Sequence, residues 1–231
     1  MVAYAPTGQG MFLESINAPD LAKPILEEAD RIFETIFDEP HNDQAATWMG
    51  LGYVAMRDGD YDRGREYMNR ALEMREKNDG VENTSTIRTR NAIGRLEYER
   101  GDLAAAEAML ETAMELYTAS DDSTHPFVAE AATWLGRVHL ARGDATAAVE
   151  LLERAVALGE AEQAESHVDN VRRRLWLAEA RVANGDAGAQ ADIDSASERL
   201  SVIESEWADI LASSPVPPLD VLLNGTPDEA G

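Results

Sequence analysis

The sequence predicts an all-α chain, an α-solenoid of antiparallel helix pairs, and three observations carry that expectation. The dipeptide Gly-Asp stands at 59–60, 101–102, 143–144 and 185–186, always 42 residues apart. Seven residues before each glycine is a small residue, Gly52, Gly94, Gly136 or Ala178, itself preceded by Leu51, Ile93, Leu135 or Leu177. After the first three dipeptides an apolar stripe advances by four, three and three residues: Gly64, Met68, Ala71, Met74; Ala106, Leu110, Ala113, Leu116; Ala148, Leu152, Ala155, Leu158. Such steps lie on one face of a helix, and a fixed period marks a repeated supersecondary unit. The unit is a helix, a tight turn and a second helix.

Residues 1–16 hold a degenerate or truncated first helix, expected over 3–16, in which Gly10 keeps register while Pro6 and Gly8 weaken the helix. Residues 17–44 carry the second helix of a leading half repeat, because Ala22, Leu26, Ala29 and Ile32 fall on the stripe one period early. Its turn has Asn17-Ala18, asparagine being the next best residue at positive φ. Full units occupy 45–86, 87–128 and 129–170. In each turn the glycine ends the first helix at positive φ, where a Cβ costs roughly 1 kcal/mol or more. The aspartate then accepts from the free N–H groups of the next helix and faces its positive end, worth about 1 kcal/mol.

The unit at 171–212 is a degenerate cap, since Gln190, Asp194 and Ser197 replace the Ala, large, Ala stripe and give a polar outer face. Its second helix continues on the helical period of Ile193, Ala196, Leu200, Ile203, Trp207 and Ile210. Residues 213–231, SSPVPPLDVLLNGTPDEAG, read as a flexible tail in which Leu219, Val221, Leu222 and Leu223 are able to tuck against the last helix.

The Leu-Gly pair, the turn glycine and the following Ala, large apolar, Ala pattern resemble the tetratricopeptide repeat family, with Trp48, Gly52 and Ala71 closest to its usual signature. The period of 42 is longer than the family's ~34 and is similar to the variant of kinesin light chains and many bacterial signalling proteins. The connector SDDSTHPFVAE, with His125 and Pro126, is similar to the acidic His-Pro loop of that variant. The resemblance covers about residues 20–200. It implies a right-handed superhelix whose first helices line the concave side, and a role in binding other proteins.

A chain of 231 residues that is 44% apolar is long enough for a substantial core, and its formal charge of −24 disfavours nucleic acid and anionic lipid as partners. Cysteine is absent, which removes thiolate catalysis and Cys-based zinc sites. No run approaches the about 18 apolar residues of a membrane span, and MVAYAPTGQGMFLESI lacks the features of a signal peptide, so the chain reads as cytoplasmic. His41, His125, His139 and His167 form no metal signature; His41 and His125 sit in equivalent loops, and His139 is expected on the core face. With no phosphate loop and no nucleophile elbow, neither an enzyme nor a cofactor or metal site is expected.

Binding remains, with a protein or peptide as the expected partner. The outward stripe of the first helices is expected at Met49, Tyr53, Met56; Asn91, Arg95, Tyr98; Thr133, Arg137, Leu140; Leu175, Glu179, Val182, preceded by Ala46, Arg88, Glu130 and Arg172. Arg88, Asn91, Arg95, Arg137 and Arg172, flanked by Tyr53 and Tyr98, therefore form the candidate site, suited to a peptide bearing Asp, Glu or a terminal carboxylate. The bland alternative pairs these arginines with neighbours, Arg95 with Glu97 or Glu130. Arg172, Arg173 and Arg174 crowd a helix start, where Asp169 or Glu165 is the local partner and an acidic ligand the other reading. Trp134 and Trp176, one period apart, are expected to pack between repeats. Two other roles compete with peptide binding. One is a sensory region of a bacterial signalling protein, such as a serine/threonine kinase or transcriptional regulator; the other is a scaffold that self-associates through its ends.

Overall fold

The computed structural model describes residues 7–8, 10–11, 19–119, 126–162 and 167–213, and among these it is all-α, with no strand. Among the described residues from Pro19 on, nine α-helices follow one another: α1 (Pro19–Ile36), α2 (Gln44–Arg57), α3 (Tyr61–Asn78), α4 (Thr84–Arg100), α5 (Leu103–Ala119), α6 (Pro126–Ala141), α7 (Ala145–Glu162), α8 (Val168–Ala183) and α9 (Gln190–Ser213). Helices α2/α3, α4/α5 and α6/α7 form closely packed antiparallel hairpins. The chain divides into two compact units at Val81/Glu82, the second running to Ala208. The expectations for Asn17-Ala18, for most of 1–16, for His125 and for the tail leucines fall outside the described residues.

The four Gly-Asp turns share one geometry. Gly59, Gly101, Gly143 and Gly185 have φ of 79°, 89°, 85° and 97°. The N–H of the following aspartate reaches back to a carbonyl five residues earlier, as Asp102 to Glu97 at 2.8 Å and Asp144 to His139 at 2.9 Å, which closes the first helix with a left-handed residue. The same aspartates cap the next helical segment: Asp60 accepts from Arg63 N, Asp102 from Ala105 N, Asp144 from Ala147 N and Asp186 from Gly188 N, at 3.0–3.2 Å. One dipeptide thus ends one helix and starts another.

Within each hairpin the second helix seats a large side chain against a bare stretch of the first. A Cβ on Gly52 would lie 2.7 Å from Met68 Cγ, one on Gly94 2.6 Å from Leu110 Cγ, and one on Gly136 2.8 Å from Leu152 Cγ. Met68, Leu110 and Leu152 are wholly buried, as are Ala71, Ala106, Ala113, Ala148 and Ala155 beside them. The stripe departs from the sequence expectation at its end. Ile32, Met74, Leu116 and Leu158 are half-exposed, and the next residues, Phe33, Arg75, Tyr117 and Gly159, are buried instead. A helix turns once per 3.6 residues, so steps of four, three and three drift off the face and a step of four restores it.

The last hairpin lacks this lock. Ala178 places a methyl where the earlier units have glycine, and Asp194 stands where Leu110 and Leu152 stand two periods and one period earlier. A charged side chain gains nothing from that apolar seat. Helix α9 touches α8 at few points, and a cleft of about 680 Å³ opens there, lined by Val171, Leu177, Arg181, Asp192, Ala196 and Arg199 among others.

A Cβ placed on Gly101 would meet no atom within 4 Å, so only backbone strain opposes substitution there. Gly101→Val is expected to lower stability by about 1–2 kcal/mol in chemical denaturation. An unchanged midpoint would mean that the turn tolerates a Cβ.

Candidate functional site

In the second unit α4, α6 and α8 lie side by side and in register, so residues 42 apart become neighbours. The pair Arg137 and Glu179 shows this directly, with Arg137 Nη1 2.6 Å from Glu179 Oε2. Two positions per helix face outward in part: 88, 130 and 172 near the start, and 95, 137 and 179 two turns on.

Aromatic rings hold the arginines of this face. Tyr98, Trp134 and Trp176, one from each helix, form a tilted ladder with centroids 5.7 Å and 5.3 Å apart. The guanidinium of Arg95 lies 4.9 Å above Trp134, and that of Arg137 lies 5.8 Å from Tyr98 and 5.2 Å from Trp176. Arg88 stands 5.4 Å from the Phe127 ring. The floor beneath is apolar, since Trp134 packs with Ala106, Leu110, Leu135 and Val138. As the sequence led us to expect, both tryptophans pack between repeats, and they also carry the arginines.

Glu130 lies on α6 between Phe127 and Trp134, and hence between Arg88 and Arg95. From α8, Arg173 donates to Thr133 Oγ1 at 3.3 Å and to Asn170 Oδ1 at 2.7 Å, which fixes it beside the same carboxylate. Burial pushes the Glu130 carboxyl above the usual range; Arg95, Arg88 and Arg173 oppose that shift, and Asp169 adds to it. The folded chain therefore holds this proton more tightly than the unfolded chain does. Stability linked to Glu130 falls as pH rises from the ordinary carboxyl range through the raised value, and stays reduced above it.

Of the candidate residues, Arg88, Arg95, Arg137 and Tyr98 come together here. Asn91 does not: it is fully buried, and its Nδ2 donates to Phe127 O at 2.9 Å, tying α4 to α6. Met49 and Thr133, at the same position of their repeats, are buried too, because that side of the first helix faces its neighbour and not solvent. Arg172 pairs with Asp169 at 3.6 Å and stays partly exposed at the edge. Tyr53 belongs to the first unit, half-buried on α2. His139 is half-buried and 3.8 Å from Asp144, rather than in the core.

Sequence reasoning weighed an acidic ligand for Arg173 but left it out of the candidate site, and it gave Glu130 no role beyond a pairing with Arg95, although the order Arg88, Glu130, Arg172 at one register position signals an alternation of charge across repeats. It also missed a capping role at 83 and 167. There Asn83 Oδ1 and His167 Nδ1 accept from the N–H two residues on, at 2.8 and 3.4 Å; His41 Nδ1 accepts from Asp43 N at 3.3 Å one residue ahead of the α2 N-cap.

Helix hairpins locked by a small residue, closed by Gly-Asp and stacked at a fixed period define a class of repeat protein. The tetratricopeptide repeat model matches residues 43–119 and 97–161, together just over half of the chain. The chain belongs to the tetratricopeptide repeat family. No curated protein matches the sequence. Among solved structures it is similar to a Podosopora anserina kinesin light chain protein with nearly identical TPR-like repeats, at 21% identity and TM-score 0.64 over 87% of this chain and 96% of that one. It is also similar to the Rap conjugation gene regulator of plasmid pLS20, solved with the Phr peptide, at 14% identity and TM-score 0.68 over 91% of this chain and 58% of that one. BtubC from P. vanneervenii matches at 18% identity and TM-score 0.61, over 90% and 84% of the two chains. At these identities the likeness is one of fold. Among the described residues no helix is long and apolar enough to cross a membrane, and no group of three or more His, Asp or Glu is placed to hold a metal ion.

The position of Glu130 has a measurable consequence. Stability measured from pH 4 to 8 on wild type and Glu130→Gln is expected to give a difference curve in which the wild type loses ground as pH rises. A flat or opposite difference would show that the carboxyl is not pushed upward by its surroundings.

Proposed function

We propose that the α4–α6–α8 face binds an extended peptide segment that carries Asp, Glu or a terminal carboxylate. The carrying observation is the set of arginines laid against rings: Arg88 on Phe127, Arg95 on Trp134, and Arg137 between Tyr98 and Trp176. A ring beneath a guanidinium restrains where it sits, and the guanidinium's N–H edge pairs with a carboxylate through two parallel bonds. Arg88, Arg95, Arg137 and Arg173 outnumber Glu130 and Glu179 on this face, in a chain whose net charge is −24. That contrast selects an anionic segment against the many neutral or basic ones that the rest of the surface would accept.

The family supports the reading at a coarser level, because stacked helix hairpins offer long faces suited to protein partners. The similar Rap regulator was solved holding a peptide, which shows that the fold accommodates such a ligand in that protein.

A fluorescein-labelled octapeptide of alternating Asp and Ala with a free carboxyl end serves as the probe, read by anisotropy. Arg88→Gln with Arg95→Gln is expected to weaken binding by about tenfold or more and to flatten its salt dependence, while helical circular dichroism stays unchanged. Unaltered affinity would contradict the proposal. So would loss of fold together with binding, since the arginines would then be structural.

A further inference from the structure

Resting on that reading, we infer that Glu130 is an internal competitor for the ligand's carboxylate, so that binding an acidic peptide draws a proton onto Glu130. The geometry makes the point. Arg88 and Arg95 lie over the rings of Phe127 and Trp134, the aromatic residues three before and four after Glu130 on the same face of α6. Arg173, pinned to Thr133 and Asn170, closes the third side. The cations that would receive a ligand carboxylate are thus already gathered round one that belongs to the protein.

The charged groups that act on Glu130 come from both flanking first helices: Arg88 and Arg95 from α4, Arg173 and Asp169 from α8. Arg137 lies two turns along α6 and is held by Glu179. Helices α5 and α7 pack against α6 through Ala106, Leu110 and Leu152, on its apolar side. Glu130 is half-buried, and desolvation already favours its protonated form. A second carboxylate arriving among the same arginines adds repulsion and shares their field, and both effects favour the proton further. By linkage, whatever raises the proton affinity of Glu130 on binding makes binding stronger at lower pH.

This assigns Glu130 a role in selectivity. At neutral pH it discriminates against weakly acidic ligands, because a ligand must outcompete a tethered carboxylate. The peptide's own Asp side chains titrate near 4 and stay charged throughout the window that matters. Another ionisable group near the cluster is His167, which caps α8 and lies 3.8 Å from Asp169.

The test measures affinity for the same Asp-Ala octapeptide at pH 5.5, 6.5 and 7.5, with proton uptake read by calorimetry in buffers of different ionisation enthalpy. Wild type is expected to bind more tightly as pH falls and to take up a proton. Glu130→Gln is expected to bind about tenfold more tightly than wild type at pH 7.5, with the pH dependence and the proton uptake gone. His167→Asn serves as the control, since Asn83 caps α4 by the same contact; it is expected to leave the pH dependence in place. Wild type that binds while Glu130→Gln binds equally or less tightly would overturn the inference and leave the peptide-binding face standing, with Glu130 as an organiser of the arginines. A pH dependence abolished by His167→Asn instead would also overturn it. Failure of wild type and Glu130→Gln alike to bind the peptide would overturn both.

Discussion

A large side chain seated against a residue with none is the contact on which this protein depends. Met68 on Gly52, Leu110 on Gly94 and Leu152 on Gly136 bring the two helices of each hairpin close and fix their register. Interiors are packed too tightly to slide by part of a residue, so within the second unit the register of one hairpin is handed to the next. Residues a whole period apart then become neighbours, and the face proposed for binding follows. Arg137 meets Glu179, and Tyr98, Trp134 and Trp176 form their tilted ladder, because the hairpins beneath them are aligned.

The same contact explains the unlike end of the array. With Ala178 and Asp194 in place of glycine and leucine, the last pair loses both halves of the lock, and α9 stands away from α8 around a cleft. Locked and unlocked hairpins thus differ at equivalent positions by opposite choices of residue.

Much of this was legible in the sequence because turns and locks are local. Gly-Asp at a fixed period demands one backbone geometry, and Gly94 seven residues before Gly101 demands close helices. What was less legible depends on angles that accumulate along a helix or on neighbours in another repeat. The buried position after Ala113 is Tyr117 and not Leu116, since a few tenths of a residue per turn move the stripe. Asn91 was placed on the outer face, but a rotation of the same size turns it inward to Phe127. Glu130 reads as one acidic residue among 44 until the flanking helices surround it with arginines. His167 drew no reading beyond the lack of a metal signature, and its role emerged from the match to Asn83 as a helix cap.

The charge of the chain and the chemistry of its face pull in opposite directions, and rings reconcile them. Exposed arginine–carboxylate pairs contribute little, and a mobile arginine would be neutralised by the nearest acidic group. Held on Phe127, Trp134 and Trp176, the guanidiniums keep fixed positions in an acidic surround. All of that presupposes the hairpin lock, and a double-mutant cycle at Gly136 and Leu152 tests it most directly. Alanine is the better helix former by about 1 kcal/mol, so Gly136→Ala is expected to destabilise the native chain and to stabilise it in the Leu152→Ala background. Equal effects of Gly136→Ala in both backgrounds would contradict the account, because the glycine and the leucine would then be independent.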